Sequence, residues 1–422
     1  MMASGRAGCV WIISKYASSR EYGFETRLFA LARRFVKLGR TTVVISSDSN
    51  HLASFPAFAS TYTGETIDGC IVRWIRTLRY ARTASARRVL SWLDFEWKLL
   101  RMPRRDLPRP DVIVVSSLSL LTVLTGVWLR RRYRCALIFE VRDIWPLTMT
   151  EEGGYSRWHP LVLLLAWVER FGYRHADLVV GTMPNLAEHV ANVAGKSVAC
   201  ACVPFGYDPA QYEGPGPADD DAVRSLVPAG KFVVGYAGSI GTTSALDTVM
   251  RCVRDLAGDD RFFFLFVGDG DCRERYLEET RDLRNIRFVP KVERNRVQSL
   301  LRVCDLLYFA VHDSAVWRYG MSLNKLIDYM MAGKPILGSY SGFPSMLDEA
   351  GCGEFVRAAD AEALKAALVR FAGLPPQTRS AMGLAGRRWL MAHRPWEVLA
   401  RQYLELCDGV CEAHRAPAPR AG

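Results

Sequence analysis

The sequence predicts an α/β fold with two Rossmann-like domains, and three observations support the prediction. The chain has 422 residues, which is enough for two domains that each bury a core. A pattern of strand, glycine loop, helix and strand occurs near the N-terminus and starts again near residue 231. Between the two patterns lies EGPGPADDDAVRSLVPAG, whose Gly, Pro and Asp content is typical of a linker. We expect an N-terminal domain over 1–210, a linker over 211–230, a C-terminal domain over 231–394 and a final helix over 395–415.

The first domain begins with CVWIIS, an apolar run that is typical of a strand buried in a parallel sheet. A helix is predicted over 24–38, because apolar residues recur there at helical spacing and Gly39 follows. TTVVISS, DVIVVSS and ALIFEV are further predicted strands. Ligands bind such sheets beyond the C-terminal strand ends, so Tyr22 and Gly23 are expected at that edge. A plain turn is the alternative explanation for a single glycine.

Charge is unevenly distributed along the chain. The formal net charge is +11, and the stretch from Arg73 to Arg134 holds fifteen Arg or Lys but only four Asp or Glu. Within it, ARRVLSWLDFEWKLLRMPRR mixes Trp92, Phe95 and Trp97 with basic residues, which is typical of a helix at an anionic membrane surface. The alternative is a core helix with a basic exposed side. Nucleic acid fits less well, because the basic residues are mixed with aliphatic and aromatic ones.

Cysteine usage and hydropathy indicate a cytoplasmic protein. The eleven cysteines include no CxxC pair, which favours single thiols over disulfides or zinc. The N-terminus carries no obvious signal peptide. The longest apolar runs, LVLLLAWV and LSLLTVLTGVWL, are shorter than the ~20 residues of a spanning helix. The Asp219–Asp221 run is interpreted as solvated linker, so no metal site is predicted.

The second domain starts with FVVGYAGSIGTTSALDTVM, a strand followed by a glycine loop and a helix near Ala245. Backbone N–H groups in such a loop can close on a phosphate at the start of a helix. We therefore predict phosphate contacts from the backbone of the loop itself, Gly238, Ser239, Ile240 and Gly241. The spacing is not the dinucleotide-binding form, which argues against a dehydrogenase.

The stretch YGMSLNKLIDYMMAGKPIL is the strongest candidate for a ligand site. It predicts a helix over 323–332 that ends at Gly333. Asn324, Lys325 and Asp328 share one side of that helix near its start. A helix start with a lysine suits phosphate, and a carboxylate one turn later suits a sugar diol. An ordinary amphipathic helix with a solvated polar side is the alternative.

Charged residues also follow a buried strand of the first domain. ALIFEV ends in Glu140 and is followed by Arg142 and Asp143. Charged groups at the mouth of a buried strand are costly unless they are paired or functional. An internal ion pair of Arg142 with Glu140 or Asp143 is the structural alternative to a catalytic role.

SLNKLIDYMMAGKP resembles the donor-binding segment of family 4 glycosyltransferases, which have the GT-B fold. Asp328 stands where the family segment has a glutamate that binds ribose, whereas the family's second glutamate is replaced by Gly320. This form is similar to the branch that builds bacterial O-antigen and capsule repeat units. The resemblance implies donor binding by the loop and helix start, Ser322, Leu323, Asn324, Lys325 and Asp328.

The resemblance also implies roles elsewhere in the chain. Ser239 and Ser244 replace a basic pair of the family, so Lys325 is the candidate for the missing charge, with help from Lys291 or Arg294. The run EVRDIWPLTMTEEGGYSRWHP is similar to a cleft-facing loop of the same branch. It implies that Asp143 contacts the acceptor or the transferred sugar. Glu140, Arg142, Trp145 and His159 are further candidates in this region.

As a whole, the resemblance implies a retaining GT-B glycosyltransferase without metal or other cofactor. Its two Rossmann-like domains would face across a cleft, and the C-terminal helix would cross back to the first domain. The donor would be a nucleotide sugar, UDP-linked, and the acceptor a polyprenyl-diphosphate-linked glycan at the inner face of the plasma membrane. The transferred group would be a hexosyl or N-acetylhexosaminyl unit. Neither nucleic acid nor an obligate protein partner is expected.

Two alternatives stay open at the level of the sequence. One is a GT-B enzyme similar to UDP-N-acetylglucosamine 2-epimerase, which would turn over the donor without an acceptor. The other is a non-catalytic basic adaptor at a membrane or on nucleic acid. The adaptor explains the charge of 73–134 but explains neither the glycine loop nor the NKLID stretch.

Overall fold

The fold consists of two compact α/β units. A computed structural model describes residues 8–50, 53–56, 58–80, 85–212 and 223–415, without the side chains of residues 294 and 295. Unit 1 comprises Met1–Phe205 with Trp396–Gly422, and unit 2 comprises Gly206–Pro395. Residues 213–222 of the predicted linker, including Asp219–Asp221, lie outside the described residues.

Unit 1 is built on an eight-stranded sheet in the order β3-β4-β2-β1-β5-β6-β7-β8. All neighbouring strands are parallel except β3 and β4, and β1 aligns Ile12 with Val44 of β2. The central strands are buried along their whole length because both faces of the sheet are covered. The strands are β1 Cys9–Ile13, β2 Thr41–Ser47, β3 Tyr62–Ile67, β4 Cys70–Ile75, β5 Val112–Ser116, β6 Ala136–Val141, β7 Leu178–Gly181 and β8 Cys200–Cys202.

The helices of unit 1 lie between strands along the chain, as in β-α-β units. The first helix begins at Arg27, later than the predicted start at residue 24, because Gly23 ends a short 3₁₀ turn and Thr26 bonds Ser18. The helices are α1 Arg27–Lys37, α2 Ala86–Arg101, α3 Thr122–Tyr133, α4 Leu147–Glu151, α5 Pro160–His175 and α6 Leu186–Ala194.

A β-hairpin formed by β3 and β4 was not predicted. Two residues, Asp68 and Gly69, connect the strands, and both have positive φ angles, 49° and 78°. An Asp-Gly pair between two strands is a strong local signal for this type of turn. The signal was therefore present in the sequence as TYTGETIDGCIVRWI.

Unit 2 contains a parallel six-stranded sheet in the order β11-β10-β9-β12-β13-β14. Its strands are β9 Phe232–Ala237, β10 Phe262–Val267, β11 Ile286–Val289, β12 Leu306–Ala310, β13 Ile336–Ser339 and β14 Gly353–Val356. Its helices are α7 Asp247–Asp255, α8 Arg273–Glu279, α9 Arg294–Arg302, α10 Asn324–Met331, α11 Met346–Ala350, α12 Ala361–Gly373 and α13 Pro376–His393. The two ends of unit 2 meet, since the Tyr207 N–H donates to the Arg394 carbonyl over 3.0 Å.

The final helix, α14 Trp396–Arg415, belongs to unit 1. Its apolar side is buried in the same core as α1 and the central strands, through Trp396, Leu399, Ala400, Tyr403, Leu404 and Cys407. Ion pairs of Arg34 with Glu397 and of Arg40 with Asp408 flank this contact. The chain thus returns to its first unit after completing the second, as predicted.

Candidate active site

Two glycine loops pack against each other at the C-terminal ends of β9 and β10. A Cβ atom on Gly268 would lie 1.9 Å from the Gly238 carbonyl oxygen, and one on Gly270 would lie 2.4 Å from the Ile240 backbone. Glycine is therefore required at both positions. The Gly268-Asp269-Gly270 triplet directly follows β10. Within the described residues, no group of His, Cys, Asp and Glu could hold a metal ion.

A cavity of about 700 Å³ lies beside these loops in unit 2. This volume falls within the range of small-molecule and cofactor sites. Val292 and Val297 supply an apolar part of its lining. Five residues predicted to bind the donor also line it, Gly238, Ser239, Lys291, Lys325 and Asp328.

Other predicted donor residues lie elsewhere. The Ile240 side chain is buried in the apolar core of unit 2, so only the backbone of this residue is left for the predicted phosphate contact. Gly241 lies against Asp271, whose carboxylate would be 2.7 Å from a Cβ at that position. The residues just before or at the start of α10 do not line the cavity either, Ser322, Leu323 and Asn324.

Lys325 is held beside the glycine loop by Tyr236. The Lys325 ammonium donates to the Tyr236 hydroxyl over 3.1 Å and lies 4.8 Å from the centre of that ring. The Tyr236 hydroxyl in turn donates to the Ser239 carbonyl. A Cβ on Gly238 would be 3.5 Å from the ammonium nitrogen. The cation is therefore positioned where the loop could receive a phosphate.

Tyr329 ties α10 to the last residue of β9. Its hydroxyl accepts from the Ala237 N–H over 2.8 Å and donates to the Ala237 carbonyl over 3.1 Å. Tyr236 and Tyr329 were not among the predicted site residues. In the sequence both lie within apolar runs, where a tyrosine is expected to be ordinary core.

The Asp328 carboxylate lines the cavity and accepts a hydrogen bond from the Tyr212 hydroxyl. Its backbone carbonyl accepts from the Gln298 amide over 3.0 Å. These contacts connect α10 with α9 and with the chain just before the undescribed stretch 213–222. Neither Tyr212 nor Gln298 was predicted, because their sequence neighbours give no signal of a ligand site.

The helix predicted to start near Ala245 begins instead at Asp247. Ala245 has a φ of 48° and follows a 3₁₀ turn over Thr242–Ser244, so it cannot be the first helical residue. Asp271 holds that turn through both the backbone and the hydroxyl of Thr242. The start of α7 does not line the cavity, whereas Lys325 in the first turn of α10 does.

In unit 1, Glu140 is a buried residue of β6. Its side chain has 0% exposure and pairs with the equally buried Arg27 over 3.2 Å. Arg27 also donates to the Val203 carbonyl over 2.6 Å. This burial favours the structural alternative for Glu140, although the partner is Arg27 and not Arg142. Arg27 gives no such signal in the sequence, because it lies 113 residues from Glu140.

Asp143 and Trp145 both lie in the loop that directly follows β6. The Asp143 side chain reaches solvent, yet desolvation by the surrounding protein raises its pKa, while Arg142 and Arg88 oppose the rise. The Arg142 guanidinium lies 4.9 Å from the Phe205 ring, and burial lowers the pKa of Arg142. Asp143 is thus a recessed but accessible carboxyl group, which a ligand hydroxyl could reach.

The other acceptor-side candidates serve local structure. The Tyr22 hydroxyl donates to Glu65 over 2.8 Å, and its ring contacts Phe55, so the hydroxyl is engaged within unit 1. Gly23 is exposed, and its φ of 89° fits the plain-turn alternative. His159 caps α5 by accepting from the Leu161 N–H over 3.2 Å.

Lys15, directly after β1, was missed by the sequence analysis. It is fully buried, donates to the Ser49 carbonyl over 2.7 Å and lies 5.1 Å from the Tyr16 ring centre. Burial lowers its pKa to about 7. A lysine at the C-terminal end of a buried strand was the available signal, since ligands bind such sheets at that edge.

Comparison with known protein families accounts for most of the chain. Residues 22–206 match the model of the Glycosyl transferase 4-like domain, and residues 231–373 match the model of the Glycosyl transferases group 1. Escherichia coli K12 WcaI, named for colanic acid biosynthesis as a glycosyl transferase, is 30% identical over 204 residues. That alignment covers 46% of this chain and about half of the relative, 47%.

Solved structures of similar fold extend over nearly the whole chain. Sucrose-phosphate synthase from Thermosynechococcus elongatus has a TM-score of 0.71 at 17% identity, covering 96% of this chain and 100% of that one. Anabaena HepE in complex with UDP has a TM-score of 0.65 at 14% identity, with 95% and 100% coverage. An Escherichia coli trehalose-6-phosphate structure bound with UDP-2-fluoro glucose has a TM-score of 0.72 at 12% identity, with 95% and 99% coverage. The predicted GT-B fold is confirmed.

Proposed function

The chain belongs to the family 4 glycosyltransferases, and from this premise we propose that it transfers a sugar from a UDP-sugar to a lipid-linked glycan. The transfer retains the anomeric configuration and contributes to bacterial surface polysaccharide such as O-antigen or capsule. Similarity to WcaI, named for colanic acid biosynthesis, supports the polysaccharide role. UDP and UDP-sugar complexes of similar structures support a UDP-linked donor. The transferred unit is a hexosyl or N-acetylhexosaminyl group.

One observation carries the proposal: the cavity in unit 2 combines a glycine loop, an anchored cation and a carboxylate. Lys325 and the N–H groups around Gly238 and Ser239 suit the diphosphate of the donor. Asp328 suits the ribose diol, because a carboxylate can accept from two hydroxyl groups. The apolar side chains of Val292 and Val297 suit a base.

The proposed chemistry depends on stabilising the departing diphosphate. The bond between the sugar C1 and the diphosphate oxygen breaks, and a bond from the acceptor oxygen to C1 forms on the same face. The departing phosphate oxygen takes the proton of the acceptor hydroxyl, so no protein base is required. Lys325, already held by Tyr236, offsets the negative charge that develops on the leaving group.

The acceptor is proposed to meet unit 1, with Asp143 as a contact to its sugar or to the transferred one. A polyprenyl-diphosphate-linked acceptor places the enzyme at the inner face of the plasma membrane, through the Arg73–Arg134 region. Among the described helices, none combines the length and hydropathy needed to cross a bilayer. We therefore propose peripheral attachment, for which basic and aromatic side chains of α2 are suited.

The test is a transfer assay with purified full-length protein, a panel of UDP-sugars and a polyprenyl-diphosphate-linked acceptor. We expect one UDP-sugar to raise the melting temperature and to label the lipid acceptor, with the product anomer the same as in the donor by NMR. Lys325→Ala should lower kcat at least about 100-fold, the scale of losing one stabilising charge at a reacting centre. Lys365→Ala, which removes an equal charge on α12, is the matched control and should keep normal transfer.

Two results would contradict the proposal. Near-normal transfer by Lys325→Ala would remove Lys325 from the mechanism. Formation of a 2-epimer from UDP-N-acetylglucosamine without any acceptor would instead identify an epimerase.

A further inference from the structure

The outward side of one helix layer in unit 1 carries a large set of exposed apolar side chains. On α2 they are one row, Leu90, Leu93, Trp97 and Leu100. Trp128 follows on α3, and a second row lies on α5, Leu163, Leu164 and Trp167. Trp158, just before α5, is 69% exposed. Exposed apolar groups on this scale are unusual for a surface that only meets water.

These side chains face the same way. The helix α3 packs between α2 and α5, and it also packs on β5 and β6, so the three helices form one layer on one face of the sheet. Each helix points its buried side inward, as Phe95 and Leu99 do on α2 and Leu165 and Val168 do on α5. Their exposed sides therefore share one outward surface, which we term the α2–α3–α5 face. Trp92 and Phe95, which belong to the aromatic pattern that predicted an interfacial helix, are both buried and do not contribute to this face.

The charge around the α2–α3–α5 face selects the kind of partner. Arg101 stacks on Trp97 with its guanidinium 3.7 Å from the ring centre, and the Arg104 guanidinium lies 5.5 Å from the Trp128 ring centre. Two acidic residues of the region are neutralised by ion pairs, Asp94 with Lys98 and Asp106 with Arg73. Further exposed arginines lie on these three helices or close to their ends, Arg87, Arg105, Arg131, Arg132, Arg157 and Arg170. Arginine next to exposed tryptophan and leucine fits the headgroup region of an anionic bilayer.

We propose that α5 is a second membrane-contacting helix, and that α2 and α5 dock together on an anionic lipid bilayer. This inference rests on the proposed membrane attachment and extends it beyond the Arg73–Arg134 stretch. The α5 helix has 16 residues and buries one side in unit 1, so it lies along the surface instead of crossing it. Two separate rows of apolar side chains fix how unit 1 is oriented on the bilayer, because a single row would allow the unit to rotate about the axis of that helix.

The experiment measures partition of the full chain into vesicles of phosphatidylglycerol and phosphatidylcholine, by co-sedimentation. The α5 variant Leu163→Gln, Leu164→Gln, Trp167→Gln should bind about tenfold more weakly, as should the α2 variant Leu93→Gln, Trp97→Gln. The control variant Leu384→Gln, Met391→Gln changes equally exposed residues on α13 and should bind as the wild type does. Retained melting temperature and UDP-dependent stabilisation would show that each variant is folded.

Three outcomes would overturn the inference, and they are distinguishable. If the α5 variant binds vesicles as strongly as the wild type while the α2 variant does not, the membrane contact is made by α2 and not by α5. If the wild type does not bind vesicles, neither helix contacts a membrane. Transfer to a water-soluble acceptor would then still support the proposed donor chemistry. A lipid-free dimer that the α5 variant dissociates, measured by sedimentation velocity, would assign the face to a second copy of the chain.

Discussion

Tyr236 joins two predicted site elements that the sequence does not connect. Its hydroxyl accepts from Lys325 and donates to the Ser239 carbonyl, so one side chain fixes both the cation and the glycine loop. Such a residue does not touch the reacting atoms. It is a positioning residue, and its loss should act through Lys325.

Tyr236→Phe should lower kcat about tenfold while changing the KM for the UDP-sugar much less. Phenylalanine keeps the ring under the ammonium but removes the hydroxyl that sets its position. Steady-state kinetics of the two variants Tyr236→Phe and Tyr308→Phe provide the measurement. Tyr308 is a matched control, since its hydroxyl donates to Ser339 in the same sheet and does not line the cavity. Equal losses in both variants would point to stability and not to positioning.

The part of this site that could be predicted from the sequence is the part that lies on a single helix. Lys325 and Asp328 are three positions apart on one helix, so their proximity follows from helix geometry alone. The contacts of Tyr236 with Lys325 and of Tyr212 with Asp328 span 89 and 116 residues. Such contacts depend on how the sheet and helices pack, which local spacing cannot give.

At the scale of elements, α2 and α3 share a buried carboxyl group. Glu96 of α2 accepts hydrogen bonds from Thr122 and Thr125 of α3, over 2.5 and 2.6 Å. Desolvation by burial raises the pKa of Glu96 to about 7, while both threonines and Lys15 oppose the rise. The folded chain therefore holds a proton that the unfolded chain releases between the ordinary pKa of 4.5 and about 7.

This difference has a sign that can be tested. Because the unfolded state binds fewer protons in that window, the contribution of Glu96 to the free energy of unfolding falls as the pH rises from about 5 to 7. The Glu96→Gln variant has no carboxyl group at this position, so this contribution to the pH dependence of its stability is absent. The stability of the variant relative to the wild type should rise across the window, by up to about 3 kcal/mol. Urea unfolding at pH 5, 6, 7 and 8 measures this difference, and parallel curves for the two proteins would contradict it.

Element types were predictable where periodicity was strong, and boundaries were not. The donor helix was expected over 323–332 and is α10 Asn324–Met331, ended by Gly333 with a φ of 69°. The start of α1 was missed by three residues because the Thr26 contact with Ser18 is not visible in a hydrophobic pattern. The hairpin of β3 and β4 was missed although its Asp-Gly turn is a local signal.

At the scale of the whole molecule, each unit has its own buried apolar residues, and α14 packs into unit 1. Leu399 of α14 is buried in the core of unit 1, and Leu368 of α12 is equally buried in the core of unit 2. The order of the elements and the return of the final helix were predictable only through the family resemblance. Composition and periodicity indicate a last helix but not the surface it covers.

Leu399→Ala and Leu368→Ala should each destabilise a different unit by about 2–4 kcal/mol, the cost of a cavity left by a buried leucine. Tryptophan fluorescence during guanidinium unfolding, combined with limited proteolysis, assigns each transition to a unit. We expect protease sites of unit 1 to open earlier in Leu399→Ala and those of unit 2 to open earlier in Leu368→Ala. Loss of both units together in either variant would show that they unfold as one.

The hydrogen bond from Tyr207 to Arg394 closes the second unit on itself, while α14 continues into the first. During translation, the ribosome therefore makes all of 206–395 before it supplies the helix that covers α1. The nascent first unit must keep that apolar surface open to chaperones for the whole of this interval, whereas the second unit can fold as soon as its own segment has emerged.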